Sequence, residues 1–399
     1  MLKNLISNLQ QYSSIGIFGF GKEGRSFDNF AKKYLNDVKI IIIDQSNGKN
    51  YLDDLSKVDV VIKSPGISLY NLGIKYDDYP FTSMTELFIK HFSKQIIGIT
   101  GTKGKSTLST ILYNLLKNNG DDTVLCGNIG LPPFDILDNI SKDTKIVMEL
   151  SSHQLSDVKY SPHIGVLTNL FPEHLDYYES CDSYYEAKQN IFNYQNKDDI
   201  AILNCTNELK YNVEFDMKKG YIHKGTLQIL EKLIELFNIN SQVYLKTLNE
   251  FKTLPHRLEY IGKYQDINFI NDSISTIPQA TIEAIKILKD VDSLILGGFD
   301  RGVDYNELVN FLVNSEVKHI FLYSQTGKIL KDLFKSKDTI QIIIYKETLK
   351  EVVDLVFKYT KKEKICLFSP AAASFDSYKN FEHRGEEFKR IVKLKLLSE

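Results

Sequence analysis

The stretch GITGTKGKST, residues 98–107, has the residue types and spacing of a loop that binds phosphate groups. It continues the apolar run QIIGIT and leads into LSTILYNLL, in which apolar residues recur at helical spacing. A glycine-rich turn between a strand and a helix directs backbone N–H groups and the positive end of the helix dipole at an anion. Lys105 adds a positive charge for phosphate oxygens, and Ser106 adds a hydroxyl suited to Mg²⁺. The stretch therefore predicts binding of a nucleoside triphosphate.

The loop is shorter than the most common form, G-x-x-x-x-G-K-[ST], because position 99 is Ile99 rather than glycine. An ordinary connection between a strand and a helix remains the alternative for the loop taken by itself. The residues assigned to the nucleotide here are Gly101, Thr102, Lys103, Gly104, Lys105, Ser106 and Thr107.

Further polar residues stand where apolar runs end, which is the edge of a parallel sheet that usually carries ligands. Glu149 closes the run KIVM, where a carboxylate suits Mg²⁺, although a solvated glutamate at a strand end is the alternative. His174 follows the run IGVLTNL, with Glu173 and Asp176 beside it, and a metal or substrate role competes with simple packing. Lys188, in YYEAKQNIF, looks by itself like an ordinary helix lysine.

Glycines mark a second possible phosphate site near the N-terminus. Gly19, Gly21 and Gly24 form G-x-G-x-x-G after an apolar run, and Asp44 ends the next run. This spacing is typical of a Rossmann dinucleotide site. A closely packed turn without a ligand and a site for another diphosphate both remain open, because such a turn recognises pyrophosphate rather than nicotinamide.

The C-terminal part also carries polar and small residues after apolar runs. Asp272 stands at the end of the run in INFINDS, and LILGGFDRG places glycines at another strand end. The tail SPAAASFDSYKNFEHRGEEF follows the run KICLF, and its small residues would let a ligand approach the backbone. Ser374 and Lys379 in this tail could bind carboxylates. A plain loop that caps a helix is the alternative.

Length and composition narrow the class of protein. At 399 residues the chain is long enough for two or three domains, and 43% hydrophobic and 25% charged residues are ordinary for a globular protein. The net charge of −2 gives no sign of a nucleic-acid partner. No apolar stretch reaches the roughly 18 residues of a membrane span, and the N-terminus does not resemble a signal peptide. The cysteines are scattered without CxxC spacing, so we expect reduced thiols and a cytoplasmic location.

Apolar β-branched runs alternate with amphipathic helices along the chain, which predicts an α/β fold of parallel sheets covered by helices. We divide the chain into three domains. A Rossmann-like domain covers residues 1–93, a central P-loop domain with a parallel sheet covers 94–253, and a second Rossmann-like domain covers 254–399. Residues 206–253 show the weakest pattern, and the second boundary falls at their end.

Taken together, these motifs resemble the Mur ligase family, the ATP-dependent enzymes that build the peptidoglycan stem peptide, and most closely its glutamate-adding, MurD type. The motifs occur in family order along nearly the whole chain and are specific as a set, although none is decisive alone. SPAAASFDSYKNFEHRG is the one typical of glutamate addition. The motifs are GITGTKGKST, GNIG, MELSSHQL, TNLFPEHLDYY, YYEAKQNIF, PHRLEYI, NDSISTIPQAT, GGFDRG and SPAAASFDSYKNFEHRG.

The resemblance implies a UDP-sugar domain, a central ATPase domain and an amino-acid-binding domain that closes on it. Lys105, His174 and Lys188 would act in catalysis, with Lys188 carbamylated by CO₂ so that the cation becomes an anionic ligand. The implied contacts with ATP are Arg257 and Asp272, and those with Mg²⁺ are Ser106 and Glu149 for one ion and His174 and Lys188 for a second. Uridine diphosphate would be bound by Gly19, Gly21 and the segment Asp44 to Ser46, and the muramoyl-alanine arm by Asn128 and His174. The implied glutamate contacts are Thr276, Arg301, Ser374, Phe375 and Phe381.

The implied reaction has two steps. The alanyl carboxylate of UDP-N-acetylmuramoyl-L-alanine attacks the γ-phosphorus of ATP, and the resulting acyl phosphate gives a poor electrophile a leaving group. The amine of glutamate then displaces phosphate through a tetrahedral intermediate. Lys105 and two Mg²⁺ would neutralise charge in the phosphoryl transfer. We expect a monomer that binds no nucleic-acid polymer and inserts into no membrane.

Departures from the family pattern keep alternatives open. Lys103, Ile274 and Arg301 replace residues common in the family, and HKGTLQILEKL at 223–233 stands where an HN motif usually lies, which leaves the adenine contact open. D-glutamate is expected, with L-glutamate as the alternative because NDSISTIP, GGFDRG and NLFPEHLD resemble a subgroup that adds it. The other interpretations are a folylpolyglutamate synthase or another Mur ligase, an NAD-dependent oxidoreductase, and a catalytically silent nucleotide-binding protein. An oxidoreductase would leave GTKGKST unexplained.

Overall fold

The computed structural model describes residues 1–171, 177–203, 208–211 and 222–395. The chain forms two compact units, of which the first ends at Leu248 and the second covers the chain from Asn249 onward. The first unit contains two parallel sheets, and the second contains one mixed sheet. The predicted α/β fold with parallel sheets is confirmed, whereas the division into three domains stays a prediction.

The N-terminal sheet has four parallel strands of mainly β-branched residues, which suit a sheet covered by helices. The strands and helices of this part are α1 (Leu2–Leu9), β1 (Ser14–Phe18), α2 (Lys22–Tyr34), β2 (Lys39–Ile43), β3 (Val60–Lys63), α3 (Leu69–Leu72), β4 (Phe81–Ser83) and α4 (Met84–Phe92). The strand order is β2-β1-β3-β4. The order reverses between β1 and β3, and the ends of those two strands therefore form the edge where a ligand is expected.

The central sheet has five parallel strands. Its strands and the helices that follow are β5 (Ile96–Thr100), α5 (Lys105–Asn118), β6 (Thr123–Gly127), β7 (Lys145–Glu149), α6 (Ser152–Leu155), β8 (Ile164–Leu167), α7 (Cys181–Asn193), β9 (Ile200–Ile202), α8 (Lys224–Leu236) and α9 (Ser241–Glu250). The order is β6-β7-β5-β8-β9, so β5, which leads into the phosphate loop, lies between β7 and β8.

Helix α5 shows why this part of the sequence folds as it does. Leu108, Ile111, Leu112 and Leu115 recur at helical spacing and are all fully buried. Removing each such side chain from water contributes roughly 1.5–3 kcal/mol. This burial fixes α5 against the sheet and therefore fixes the position of the phosphate loop at its N-terminus.

The C-terminal sheet has six strands. Its elements are β10 (Glu259–Tyr264), β11 (Ile267–Asn271), α10 (Pro278–Leu288), β12 (Val291–Gly297), α11 (Asn306–Val313), β13 (His319–Tyr323), α12 (Ser324–Lys335), β14 (Ile342–Lys346), α13 (Leu349–Tyr359), β15 (Ile365–Phe368) and α14 (Phe381–Leu394). The order is β10-β11-β15-β12-β13-β14. The expectation of parallel pairing is wrong for β10, which runs antiparallel to β11. Gln265 and Asp266, both with positive φ, make the tight turn that reverses the chain.

Residues 206–253, which the sequence pattern left largely unassigned, contain helices α8 and α9. Five short 3₁₀ helices complete the described structure, at Gln45–Asn47, Tyr51–Lys57, Tyr76–Asp78, Ser93–Gln95 and Pro133–Asn139. Within the described ranges, the helices are all too short or too polar to cross a membrane.

Candidate active site

The phosphate loop connects β5 to α5 at the carboxyl edge of the central sheet. Gly101 has a φ of +146°, and a Cβ atom there would lie 1.9 Å from Thr168 Oγ1, so only glycine fits. Gly104 has a φ of +82° and immediately precedes α5. The first N–H groups of an α-helix have no partner inside the helix, so the start of α5 can donate hydrogen bonds to an anion.

The residues that follow β8 hold the loop in this shape. Asn169 Oδ1 accepts a hydrogen bond from the Lys103 N–H at 2.8 Å, and Asn169 Nδ2 donates to the Lys103 carbonyl at 3.0 Å. Thr168 Oγ1 donates to the same carbonyl at 2.7 Å, and Thr102 N–H donates to the Asn169 carbonyl at 3.0 Å. Sequence reasoning missed both residues, although TNL stands at the end of a strand, as Glu149 does.

Two lysine side chains meet at the backbone of Gly101. Lys105 Nζ donates to the carbonyl oxygens of Gly101, at 2.9 Å, and Thr102, at 3.0 Å. Lys188 Nζ, from α7, donates to the same Gly101 oxygen at 2.9 Å. Lys188 is buried, and its ammonium lies 4.9 Å from the centre of the Tyr184 ring. The packing of α7 thus brings a lysine that looked ordinary in the sequence to the phosphate loop, where two neighbouring cations favour an anionic ligand.

Glu149 lies at the end of β7, beside β5, and is fully buried. Its Oε1 accepts a hydrogen bond from Asn128 Nδ2 at 2.7 Å, whereas its Oε2 has no hydrogen-bond partner among the residues that the structure describes. A buried carboxylate oxygen without a donor is unfavourable, and a bound cation would satisfy it. Ser106, also buried, stands in the first turn of α5. The residues present therefore fit a Mg²⁺ ion; His174, expected at a second ion, lies outside the described residues.

The N-terminal glycine turn is held by Asp44 at the end of β2. Asp44 Oδ2 accepts from the Phe20 N–H at 2.8 Å, and Oδ1 accepts from the N–H and hydroxyl of Ser46 at 3.0 and 2.8 Å. These donors hold the pKa of the Asp44 carboxyl below its ordinary value. Gly19 has a φ of +90°, and Gly21 immediately precedes α2 with no described atom within 4 Å of the place of a Cβ atom. The turn thus offers an open helix N-terminus to a diphosphate, and Asp44 braces it.

In the C-terminal unit, Asp272 lies buried at the end of β11. Burial raises the pKa of Asp272 to about 6. Its carboxylate accepts hydrogen bonds from the Ser275 hydroxyl at 2.5 Å, the Ser369 hydroxyl at 2.8 Å and the Leu258 N–H at 3.1 Å, and these contacts favour the charged form. The positive charge of Arg257 acts in the same direction as the hydrogen bonds.

Arg384 is a residue of this unit that sequence reasoning did not assign. Its guanidinium is fully buried and ties together two loops. Nε and Nη2 donate to the hydroxyl and carbonyl oxygens of Ser273 at 3.1 and 2.7 Å, and Nη1 donates to the carbonyls of Ala372 and Ala373, both at 2.9 Å. A Cβ atom at Gly298 would lie 2.3 Å from the Ala373 oxygen and 2.9 Å from Nη1. Arg384 therefore fixes the loops that carry several residues expected to bind glutamate.

The fold brings some of the residues that are expected to bind glutamate close to one another. Arg301 lies over the ring of Phe375, 5.1 Å from its centre, and Phe375 is 57% exposed. Ser374 is buried beside it, and the backbone of Phe381 accepts a hydrogen bond from the Ser273 hydroxyl at 2.9 Å. Thr276 is half-buried in the loop that follows β11. An exposed cation stacked on an aromatic ring suits a dicarboxylate ligand, and the individual roles stay predictions.

Comparison with known proteins identifies a family model and named relatives that resemble this chain. Residues 99–270 match the Mur ligase middle domain. The chain is 31% identical over 425 residues to the UDP-N-acetylmuramoylalanine–D-glutamate ligase of Clostridium tetani, covering 94% of this chain and 91% of that protein. It is 32% identical over 412 residues to the ligase of the same name from Acetivibrio thermocellus, covering 90% and 88% of the two chains.

Solved structures show a similar fold. MurF ligase from Thermotoga maritima, in complex with ADP, matches with a TM-score of 0.59 at 17% identity over 96% of this chain and 95% of that one. UDP-N-acetylmuramate–alanine ligase MurC from the same organism matches with a TM-score of 0.58 at 16% identity over 97% and 100%. At these identities the likeness is one of fold.

Proposed function

The chain belongs to the Mur ligase family and, within it, to the UDP-N-acetylmuramoylalanine–D-glutamate ligases, and we propose that it joins D-glutamate to UDP-N-acetylmuramoyl-L-alanine in peptidoglycan synthesis, converting ATP to ADP and phosphate. The observation that supports this most directly is the meeting of Lys105 and Lys188 at Gly101, with the buried carboxylate of Glu149 on the neighbouring strand. Such a site combines anion-binding donors with a cation ligand.

The phosphate loop holds the triphosphate. The N–H groups at the start of α5 donate to phosphate oxygens, and Lys105 provides the charge at the β- and γ-phosphates. Thr168 and Asn169 donate hydrogen bonds to the Lys103 carbonyl and so help to fix the conformation of the loop. Arg257 and Asp272 stay assigned to the nucleotide as predictions.

Glu149 and Ser106 would hold one Mg²⁺, and His174 and Lys188 a second. Bound Mg²⁺ would neutralise phosphate charge in the transfer of the γ-phosphoryl group. Lys188 would serve as a ligand after its neutral amine adds CO₂ and releases one proton, which yields an anionic carbamate. The shared acceptor supports this modification, because turning one of the two neighbouring cations into an anion replaces repulsion by attraction.

The acceptor would bind to residues of the N-terminal and central parts of the chain, and glutamate to residues of the C-terminal part. Uridine diphosphate would bind at Gly19, Gly21, Asp44 and Ser46, and Asn128 would contact the muramoyl-alanine arm. The alanyl carboxylate attacks the γ-phosphorus and releases ADP, and the glutamate amine then attacks the acyl phosphate and releases phosphate. Glutamate would be held by Thr276, Arg301, Ser374, Phe375 and Phe381. We further propose that the three parts act as three domains of a cytoplasmic monomer.

The test of this function compares the two enantiomers of glutamate. Purified protein with Mg²⁺, ATP and UDP-N-acetylmuramoyl-L-alanine should form the ligated product with D-glutamate at least tenfold faster than with L-glutamate, as expected where a wrong ligand leaves buried polar groups unpaired. Product is measured by mass-resolved chromatography. Preference for L-glutamate would correct the substrate, and product from neither enantiomer would refute the proposed function and favour a silent nucleotide-binding protein.

A further inference from the structure

The SPGIS loop, residues 64–68, follows β3 at the carboxyl edge of the N-terminal sheet and packs directly on the glycine turn. The Ser64 hydroxyl donates to the Gly19 carbonyl at 2.6 Å. A Cβ atom at Gly19 would lie 2.9 Å from Ile67 Cγ1, so the turn and the loop are in close contact. Ser64 and Ile67 thus hold the SPGIS loop and the turn proposed for uridine diphosphate together as one unit, without help from Tyr177.

Tyr177, which follows His174 by three positions in the sequence, binds this loop. Its hydroxyl lies 2.9 Å from the Pro65 carbonyl oxygen and 2.8 Å from the Ile67 carbonyl oxygen, and it donates its one proton between them. In return, the Ser68 hydroxyl donates to the Tyr177 carbonyl at 3.0 Å. Burial raises the pKa of Tyr177, so the phenol keeps the proton that it donates.

An ion pair between a buried lysine and a half-buried aspartate supports the same contact. Lys63, the last residue of β3, is only 1% exposed, and its Nζ lies 2.8 Å from Asp157 Oδ2, just after α6. The same Nζ donates to the Ile67 carbonyl at 3.0 Å. The Ile67 oxygen thus receives donors both from Lys63 and from Tyr177. Because the buried Lys63 ammonium would be costly to leave unpaired, this ion pair helps to fix the N-terminal sheet relative to the central part of the same unit.

We propose that Tyr177 is a positioning residue that sets the distance between the uridine diphosphate end of the acceptor and its reactive carboxyl end. The inference rests on the proposed function, in which one acceptor molecule extends from the glycine turn to the phosphate loop. Such a molecule binds with full affinity only if both ends meet their sites at once. Tyr177 binds the loop that packs on Gly19, and its ring centre lies 4.0 Å from that of His153 in α6, the helix that follows Glu149. It therefore determines whether the two ends fit together.

The test replaces Tyr177 by phenylalanine and uses Tyr178→Phe as the matched control. The Tyr178 hydroxyl pairs with the Ser156 hydroxyl at 3.0 Å, within the central part of the chain. Calorimetric titration should show that Tyr177→Phe binds UDP as the wild type does but binds UDP-N-acetylmuramoyl-L-alanine roughly tenfold more weakly, the scale of one or two lost hydrogen bonds. The KM for the acceptor should rise by the same factor while the KM for ATP is unchanged. Tyr178→Phe should match the wild type in both titrations.

Two outcomes would overturn this inference. Equal weakening of UDP and of the whole acceptor would mean that Tyr177 only shapes the uridine diphosphate site. Unchanged acceptor affinity with a lowered melting temperature would mean that it only stabilises the fold. If the wild-type protein binds UDP-N-acetylmuramoyl-L-alanine no more tightly than it binds UDP, the result would instead contradict the proposed function and, with it, this inference.

Discussion

Replacement of Lys188 by alanine should reduce the turnover number by roughly 10³-fold or more, the scale expected when a charged group is lost from a phosphoryl-transfer site. Short-chain carboxylic acids such as acetate should restore part of the activity, because they can place a carboxylate where the carbamate would stand. The site has room for such a rescue, since Lys188 is buried against the loop and its removal leaves a cavity there. The measurement is the rate of ADP release in the presence of acceptor and D-glutamate, with and without added acid.

Lys197→Ala is the control for the rescue, because Lys197 is exposed just beyond α7 and no role is proposed for it. It should keep wild-type turnover and show no response to acetate. Normal turnover of Lys188→Ala would show that Lys188 has no role in catalysis. A large loss of turnover that no small acid restores would support a role for Lys188 in catalysis but would argue against its carbamylation.

Glu149→Ala should lose roughly 10²- to 10³-fold in turnover, the scale of losing one group that stabilises charge in the transition state. It should also require more Mg²⁺ for half-maximal activity, because the buried carboxylate is the ligand that the ion would lose. The protein should stay folded. Glu149 Oε2 has no hydrogen-bond partner among the described residues, so its removal breaks no hydrogen bond at that oxygen, and the losses are the contact with Asn128 and some packing. The measurements are a Mg²⁺ titration of ADP release and a thermal unfolding curve.

Glu86→Ala provides the matched control for this variant. Glu86 is a second buried glutamate, whose Oε2 accepts a hydrogen bond from the Thr82 hydroxyl at 3.0 Å in the N-terminal part. The Glu86→Ala variant should lower the melting temperature without changing the Mg²⁺ concentration needed for half-maximal activity. An unchanged Mg²⁺ requirement in Glu149→Ala would refute the role of Glu149.

The sequence was most informative where local pattern determines structure. The glycines of the phosphate loop, the end of β7 at Glu149 and the start of α2 at Gly21 are all set by residues close in the chain. Parallel pairing then places strand ends at one edge, which is why Glu149 could be expected beside the loop before its register with β5 was known.

Other features depend on contacts between distant parts of the chain. Lys188 has no local signal, and its place follows from how α7 packs beside the loop. Arg384 resembles in the sequence an ordinary charged residue at the start of a helix. Its guanidinium is buried and donates four hydrogen bonds only because two loops distant in the chain meet around it. The antiparallel strand β10 depends on a tight turn through Gln265 and Asp266, a pair that lacks the glycine typical of such turns.

The central claim is that ATP phosphorylates the alanyl carboxyl group of the acceptor over Lys105, and an oxygen-label measurement tests it most directly. UDP-N-acetylmuramoyl-L-alanine labelled with ¹⁸O in its carboxylate is incubated with the protein, Mg²⁺, ATP and D-glutamate, and the released phosphate is examined by mass spectrometry. If an acyl phosphate forms, each phosphate released carries one oxygen from the acceptor. Phosphate free of ¹⁸O, released while ligated product accumulates, would contradict the account.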